Sequence, residues 1–200
     1  DFGRVDSPAG LERIDGDGWT IVDTGLDTPA VRAAWERALA GPLAGRPVTR
    51  VLVTHHHPDH FLGNQAFADA YGKDLPIHSL AFTREQIAGH EGNLWRSLME
   101  RWTNQATLGT KVVAPNKVVE HGQVFDYGDV QIKLHHYGKA HTPSDLCFEV
   151  VQDKLTYIGD IAMENRIANI DDGSYPGTFK YFDAIKKAAG GQLWLPGHGR

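Results

Sequence analysis

Apolar positions recur along the chain with two spacings, one suited to short strands and one to helices. Residues 19–23 (WTIVD) read as a strand that follows the turn Asp15-Gly16-Asp17-Gly18. Thr28-Pro29 then opens a helix, with Thr as the cap and Pro at the first helical position. Its apolar stripe is Val31, Ala34, Trp35 and Leu39, and Gly41-Pro42 ends it. Residues 50–54 (RVLVT) form a short, mostly apolar run of the kind found in buried strands. A helix is predicted over 61–71 and a strand over 75–78. A longer helix begins at Thr83, where Thr83-Arg84-Glu85-Gln86 fits a capping box. Trp95, Leu98, Met99 and Trp102 continue it at helical spacing. The second half is richer in strands: 118–119, 124–125, 130–134, 146–151 and 155–158, separated by Gly or Asp turns. A last helix near 181–189 precedes a closing strand at 193–195. The alternation predicts an α/β layered sandwich with two halves built around sheets. No linker rich in Gly, Ser or Pro divides them, and no repeat at a solenoid period is present.

Length and composition narrow the class without naming a function. A chain of 200 residues suits one domain, expected here over residues 1–200. With 41% hydrophobic and 22% charged residues it has an ordinary globular mix rather than that of a disordered chain. Its net charge of −5 is the reverse of the basic excess that nucleic-acid binders carry. Apolar runs are too short to span a bilayer. No nucleic-acid partner and no membrane are expected. The single cysteine, Cys147, rules out an intrachain disulfide. The chain opens at Asp1 with no charged-then-apolar leader, which suggests a processed or trimmed form.

Histidine is the outlier, with 11 in the chain. Four of them fall in Val53-Thr54-His55-His56-His57-Pro58-Asp59-His60, at the junction of a predicted strand and helix. Such junctions present side chains into a common crevice. Imidazoles and a carboxylate this dense are expensive to bury without a partner. A divalent cation is the natural one, because both ligand types suit zinc and similar ions. Pro58 stiffens the loop and limits the entropy lost on binding. A solvated His-rich loop is the plain alternative. An affinity-tag origin does not suit the position, since tags lie at termini. Three more metal-binding side chains stand near the ends of predicted strands: His141 in Ala140-His141-Thr142-Pro143, Asp160 in Tyr157-Ile158-Gly159-Asp160, and His198 in Leu195-Pro196-Gly197-His198-Gly199. Each alone reads as a surface residue; together with the cluster they read as ligands.

The pattern His55-x-His57-x-Asp59-His60, followed in order by His141, Asp160 and His198, resembles the metallo-β-lactamase superfamily. All five superfamily motifs have counterparts, including Asp23 in Val22-Asp23-Thr24-Gly25, and the resemblance spans roughly residues 11–200. Residues 54–64 (THHHPDHFLGN) are similar to glyoxalase II. The stretches 90–119, 140–145 and 196–199 look more like the metallohydrolases associated with sulfur oxidation and quinoproteins. The resemblance implies a four-layer αβ/βα sandwich and a dinuclear centre of two Zn²⁺ per chain, iron or manganese being the other candidates. By the same resemblance His55, His57 and His141 would hold the first ion, Asp59, His60 and His198 the second, and Asp160 would bridge them. His56 would be a spacer, and Asp23 would support the ligand loops by hydrogen bonding. Two cations about 3.5–4 Å apart lower the pKa of a water held between them toward neutrality. The implied activity is thus a zinc-dependent hydrolase that uses a metal-bridging hydroxide on a small carbonyl substrate: a β-lactam, a thioester or a lactone. Asp59 and Asp160 are the candidate catalytic carboxylates. An aspartate at the bridging position argues against a dedicated penicillin hydrolase. The chain also ends at Arg200, two residues past His198, which leads to the expectation that the glutathione-gripping helices of glyoxalase II are missing.

Several residues carry weaker signals. Asn165, Arg166 and Asn169 follow Asp160, and Arg166 could grip a substrate carboxylate through both its nitrogens. Lys139 stands two residues before His141 and is a similar candidate. The tryptophans of the long helix could roof a pocket, though core packing explains their spacing as well. Cys147 reads as a small buried strand residue rather than a thiolate ligand. His135 and His136 read as surface histidines, and His78, His90 and His121 belong to no constellation. Other readings of the same ligands are an iron-dependent redox enzyme, similar to persulfide dioxygenases, a non-catalytic metal-binding module, and a nuclease.

Overall fold

The computed structural model describes residues 11–13, 18–191 and 193–199. The predicted turn at 15–17 lies outside the described residues. The chain divides into two compact units. One takes the residues up to Ser79 and Thr83–Val118; the other takes Leu80–Phe82 and the chain from Val119 onward.

The first unit is built on a five-stranded sheet in the order β1-β2-β3-β4-β5, which is also chain order. Its strands are β1 (Leu11–Arg13), β2 (Trp19–Val22), β3 (Val48–Leu52), β4 (Ile77–Ser79) and β5 (Lys117–Val118). β1 pairs antiparallel with β2, and every later neighbour pairs in parallel. Parallel strands need crossovers. Helix α1 (Pro29–Ala40) provides the first, and its Thr28 hydroxyl caps the Val31 amide at 3.2 Å, as the Thr-Pro signal predicts. Of its apolar stripe, Trp35 is buried; Val31 and Leu39 pack against the core rim. Ile21, Val51, Val53, Phe61, Phe67 and Ile77 fill that core with Trp35.

The helix predicted over 61–71 is instead two pieces, α2 (Pro58–Phe61) and α3 (Asn64–Tyr71), broken at Gly63. A Cβ at Gly63 would stand 2.4 Å from the Thr24 carbonyl oxygen, and the Gly63 amide donates to the Gly25 carbonyl at 2.8 Å. That close approach stops the helix and locks the loop after β2 to the loop after β3. The helix expected to begin at Thr83 starts earlier, as α4 (Ala81–Ala88), and continues past Gly89 as α5 (His90–Trp102). Thr83 is therefore inside the first turn of α4 and does not cap it.

The second unit carries a sheet in the order β10-β9-β8-β7-β6. Its strands are β6 (Val124–Asp126), β7 (Gln131–His135), β8 (Cys147–Val150), β9 (Leu155–Met163) and β10 (Leu193–His198). β6 to β9 form an antiparallel meander, and β10 returns parallel to β9 across helix α6 (Tyr175–Ala188). Tyr181 and Ile185 of α6 seal the core over Ala140, Cys147, Ile158 and Ile161. α6 starts six residues before the predicted Tyr181, because Ser174 caps the Gly177 amide and Pro176 opens the first turn.

β9 is longer than its sequence signal over 155–158. It runs through Gly159, at φ +59°, to Met163, and β10 follows it with register shifts at Pro196 and His198. Asp160, expected at a strand end, therefore lies inside a strand, and His198, expected just past one, is the last residue of β10. Among the described residues no helix is long and apolar enough to cross a membrane.

Candidate metal centre

In the first unit β2 and β3 run in parallel, so the loops that leave their C-terminal ends lie side by side. Asp23 follows β2 directly and turns the chain with φ +51°. Its carboxylate, 1% exposed, collects donors from the neighbouring loop. Oδ1 accepts from the Thr54 amide at 2.8 Å, and Oδ2 accepts from the Thr54 hydroxyl at 2.8 Å and from His60 Nδ1 at 2.9 Å. These bonds settle the tautomers by elimination. The Thr54 hydroxyl has one proton and gives it to Asp23, so its oxygen accepts from His55 Nδ1 at 3.1 Å. His60 likewise carries its proton on Nδ1. Both rings thus engage the Asp23–Thr54 pair through Nδ1.

The other histidines of the loop gather around these two. Ring centroids of His55 and His60 are 3.9 Å apart, those of His55 and His57 are 4.8 Å apart, and those of His56 and His57 are 5.4 Å apart. His55, His56 and His60 are buried; His57 is half-buried. Asp59 stands beside them, its Oδ1 3.7 Å from His60 Nε2, and 29% of its side chain faces solvent.

The second unit places its three predicted ligands together as well. Asp160 Oδ2 lies 3.6 Å from His141 Nε2 and 3.2 Å from His198 Nε2. The carboxylate fits only because residue 197 is glycine: a Cβ there would stand 1.9 Å from Asp160 Oδ1. His141 sits in a loop tied down from within. Asp145 accepts from the Thr142 amide at 2.9 Å, from the Thr142 hydroxyl at 2.7 Å and from the Ala140 amide at 3.2 Å. Burial nonetheless raises the Asp145 pKa to about 7, against these hydrogen bonds, which favour the ionised form. From outside, Ser174 donates its amide to the Ala140 carbonyl at 2.7 Å. Gly173 and Gly177 let α6 press on that loop, since a Cβ on them would meet the His141 and Lys139 carbonyl oxygens at 2.4 and 2.0 Å.

Both donor sets suit a divalent cation. Each unit brings imidazole nitrogens and a carboxylate within a few ångströms of one another, and in the first a carboxylate holds Nδ1 of one ring, as in metal sites generally. Asn165, Arg166 and Lys139 are exposed, the first two on the loop after β9, where Asn165 has φ +58°. Asn169 is engaged with Asp171, whose amide donates to it at 2.9 Å. Cys147 is fully buried, its thiol donates to the Ile158 carbonyl at 3.1 Å, and burial pushes its pKa up, which disfavours a thiolate. His135 is buried, contrary to its surface reading; it faces the Tyr137 hydroxyl at 3.0 Å and Glu149 at 3.4 Å. Supporting residues that the sequence motifs did not assign are Thr54, Asp145, Gly173 and Gly177. The only hints were their places in VTHHH, HTPSD, DGS and YPG.

A family model described as the metallo-β-lactamase superfamily matches residues 5–197. The chain belongs to that superfamily and is a metal-dependent hydrolase of it. It is 26% identical over 145 residues to hydroxyacylglutathione hydrolase of Maricaulis maris, an alignment covering 68% of this chain but 41% of that enzyme. An uncharacterised protein of Mycobacterium leprae, ML0493, is 28% identical over 158 residues, covering 74% of this chain and 68% of that protein. Among solved structures, a β-lactamase domain protein from Burkholderia ambifaria superposes with a TM-score of 0.68 at 24% identity, over 95% of this chain and 63% of that one. A metallo-β-lactamase from Pontibacter korlensis gives 0.65 at 15% identity, over 93% and 76%. At these identities the structures establish the fold, which is the α/β metallo-β-lactamase type.

Proposed function

We propose that the chain is a dinuclear zinc hydrolase of small carbonyl compounds. By the superfamily pattern His55, His57 and His141 would hold one cation and Asp59, His60 and His198 the other, with Asp160 as a shared ligand. The observation that carries this reading is the Asp23 network, which holds His60 through its Nδ1 and ties down the Thr54 hydroxyl that meets His55 Nδ1. When bound, the metal would supply an activated water at neutral pH and a Lewis acid for a carbonyl oxygen. The chain's own groups position the reactants and move the proton. Asp59 is the better proton carrier, because its carboxylate reaches solvent while Asp160 is 4% exposed. Arg166, with Asn165 and Lys139, binds a polar or anionic end of the substrate. β-Lactam, thioester and lactone are the candidate classes, and the likeness to a hydroxyacylglutathione hydrolase supports including thioesters.

The test is hydrolysis of a chromogenic cephalosporin, an S-acyl thioester and a lactone by zinc-loaded and chelator-treated protein. Chelator-sensitive turnover of one of them, with kcat/KM of about 10⁴ M⁻¹s⁻¹ or above, is expected. His57→Ala and Asp160→Ala should each lose metal and activity together. Full activity with normal metal content in His57→Ala would overturn the ligand assignment. Activity that follows bound iron and not zinc would favour the redox reading.

A further inference from the structure

Helix α5 supplies one side chain that the ligand set does not explain. Trp95 is half-buried on the rim of the first unit's core. Its ring centroid is 5.6 Å from that of His57, with the planes at 70°. On its other side Trp102 stands 6.4 Å away at 72°. Both contacts have the edge-to-face geometry that aromatic pairs prefer. The indole N–H is enclosed and meets no hydrogen-bond acceptor among the described residues. The side chain is thus held here by its ring contacts, and phenylalanine could keep a ring there without breaking a hydrogen bond.

His55 and His60 are oriented through hydrogen bonds to Thr54 and Asp23. A ligand loop needs every ring held, because a rotated imidazole aims its lone pair away from the cation. We propose that Trp95 is a positioning residue for His57: its indole, packed edge-to-face on the imidazole, fixes the ring rotation that presents His57 to the metal. The inference rests on the metal reading above. Trp95 itself touches no metal and donates no ligand atom. It also places an indole against a ligand ring, so a paramagnetic ion bound there should quench its emission.

The full chain, metal-stripped, is titrated with zinc against a chromophoric chelator, and with cobalt while tryptophan emission is followed. Trp95→Leu should stay folded and bind the tighter zinc ~10–100-fold more weakly, the range typical for losing a residue that orients a ligand. Trp95→Phe should restore affinity close to wild type and remove most of the cobalt-quenched emission. A folded Trp95→Leu with wild-type zinc affinity would overturn the proposal. So would a Trp95→Phe whose cobalt quenching equals wild type, a result that does not depend on the leucine variant folding. Wild-type protein that binds neither ion would instead refute the metal reading itself, and this inference with it.

Discussion

Asp23 shows how one residue can organise a ligand loop without contacting substrate. It adopts a left-handed φ, which Asp tolerates better than most residues. Its two oxygens accept from the Thr54 amide, the Thr54 hydroxyl and His60 Nδ1. Asp23→Asn keeps the shape but swaps one acceptor for an N–H₂ donor. That donor would face the Thr54 hydroxyl or His60 Nδ1, and the hold on that group would be lost. Zinc affinity should fall ~10–100-fold while the fold is retained, as a competition titration with circular dichroism would record. Gly197 is the counterpart in the second unit. The Cβ of Gly197→Ala would collide with Asp160 Oδ1 at 1.9 Å and with Gly159 backbone carbon at 2.8 Å. The variant should lose metal binding more than it loses stability. Equal zinc affinity in Gly197→Ala would show that Asp160 is not a ligand.

At the scale of elements, signals that lie within a few residues were readable. Thr28-Pro29 marks the start of α1, and the apolar runs mark β2, β3 and β7 close to their true bounds. The candidate ligands were legible as a cluster for the same reason, since His55, His57, Asp59 and His60 fall within six residues between β3 and the end of α2. What escaped the sequence depends on distant backbone. The break at Gly63 arises from the loop after β2, and the extension of β9 to Met163 arises from pairing with β10. The burial of His135 comes from Glu149 and Tyr137, and its own flanking residues look like a strand end facing water. β4 offers a test of element energetics. Burial, with Arg50 and Lys117 nearby, lowers the His78 pKa to about 4. In the unfolded chain it titrates near the ordinary value of 6.5. Between those values the unfolded state binds the extra proton, so stability falls as pH drops from about 6.5 to about 4. Denaturant midpoints across that window should flatten in His78→Gln; an unchanged slope would show that His78 does not contribute.

At the scale of the molecule, both units end their strands in imidazole and carboxylate side chains held by buried hydrogen bonds and close glycine contacts. The first unit does so at the ends of parallel strands, the second at an irregular stretch of β9 and β10. The proposed centre holds two zinc ions per chain. Native mass spectrometry of the metal-stripped chain during zinc titration measures that directly. The predicted result is two zinc ions per chain, falling to one or none in Asp160→Ala. A wild-type chain that saturates with one zinc, or binds none, would contradict the dinuclear centre.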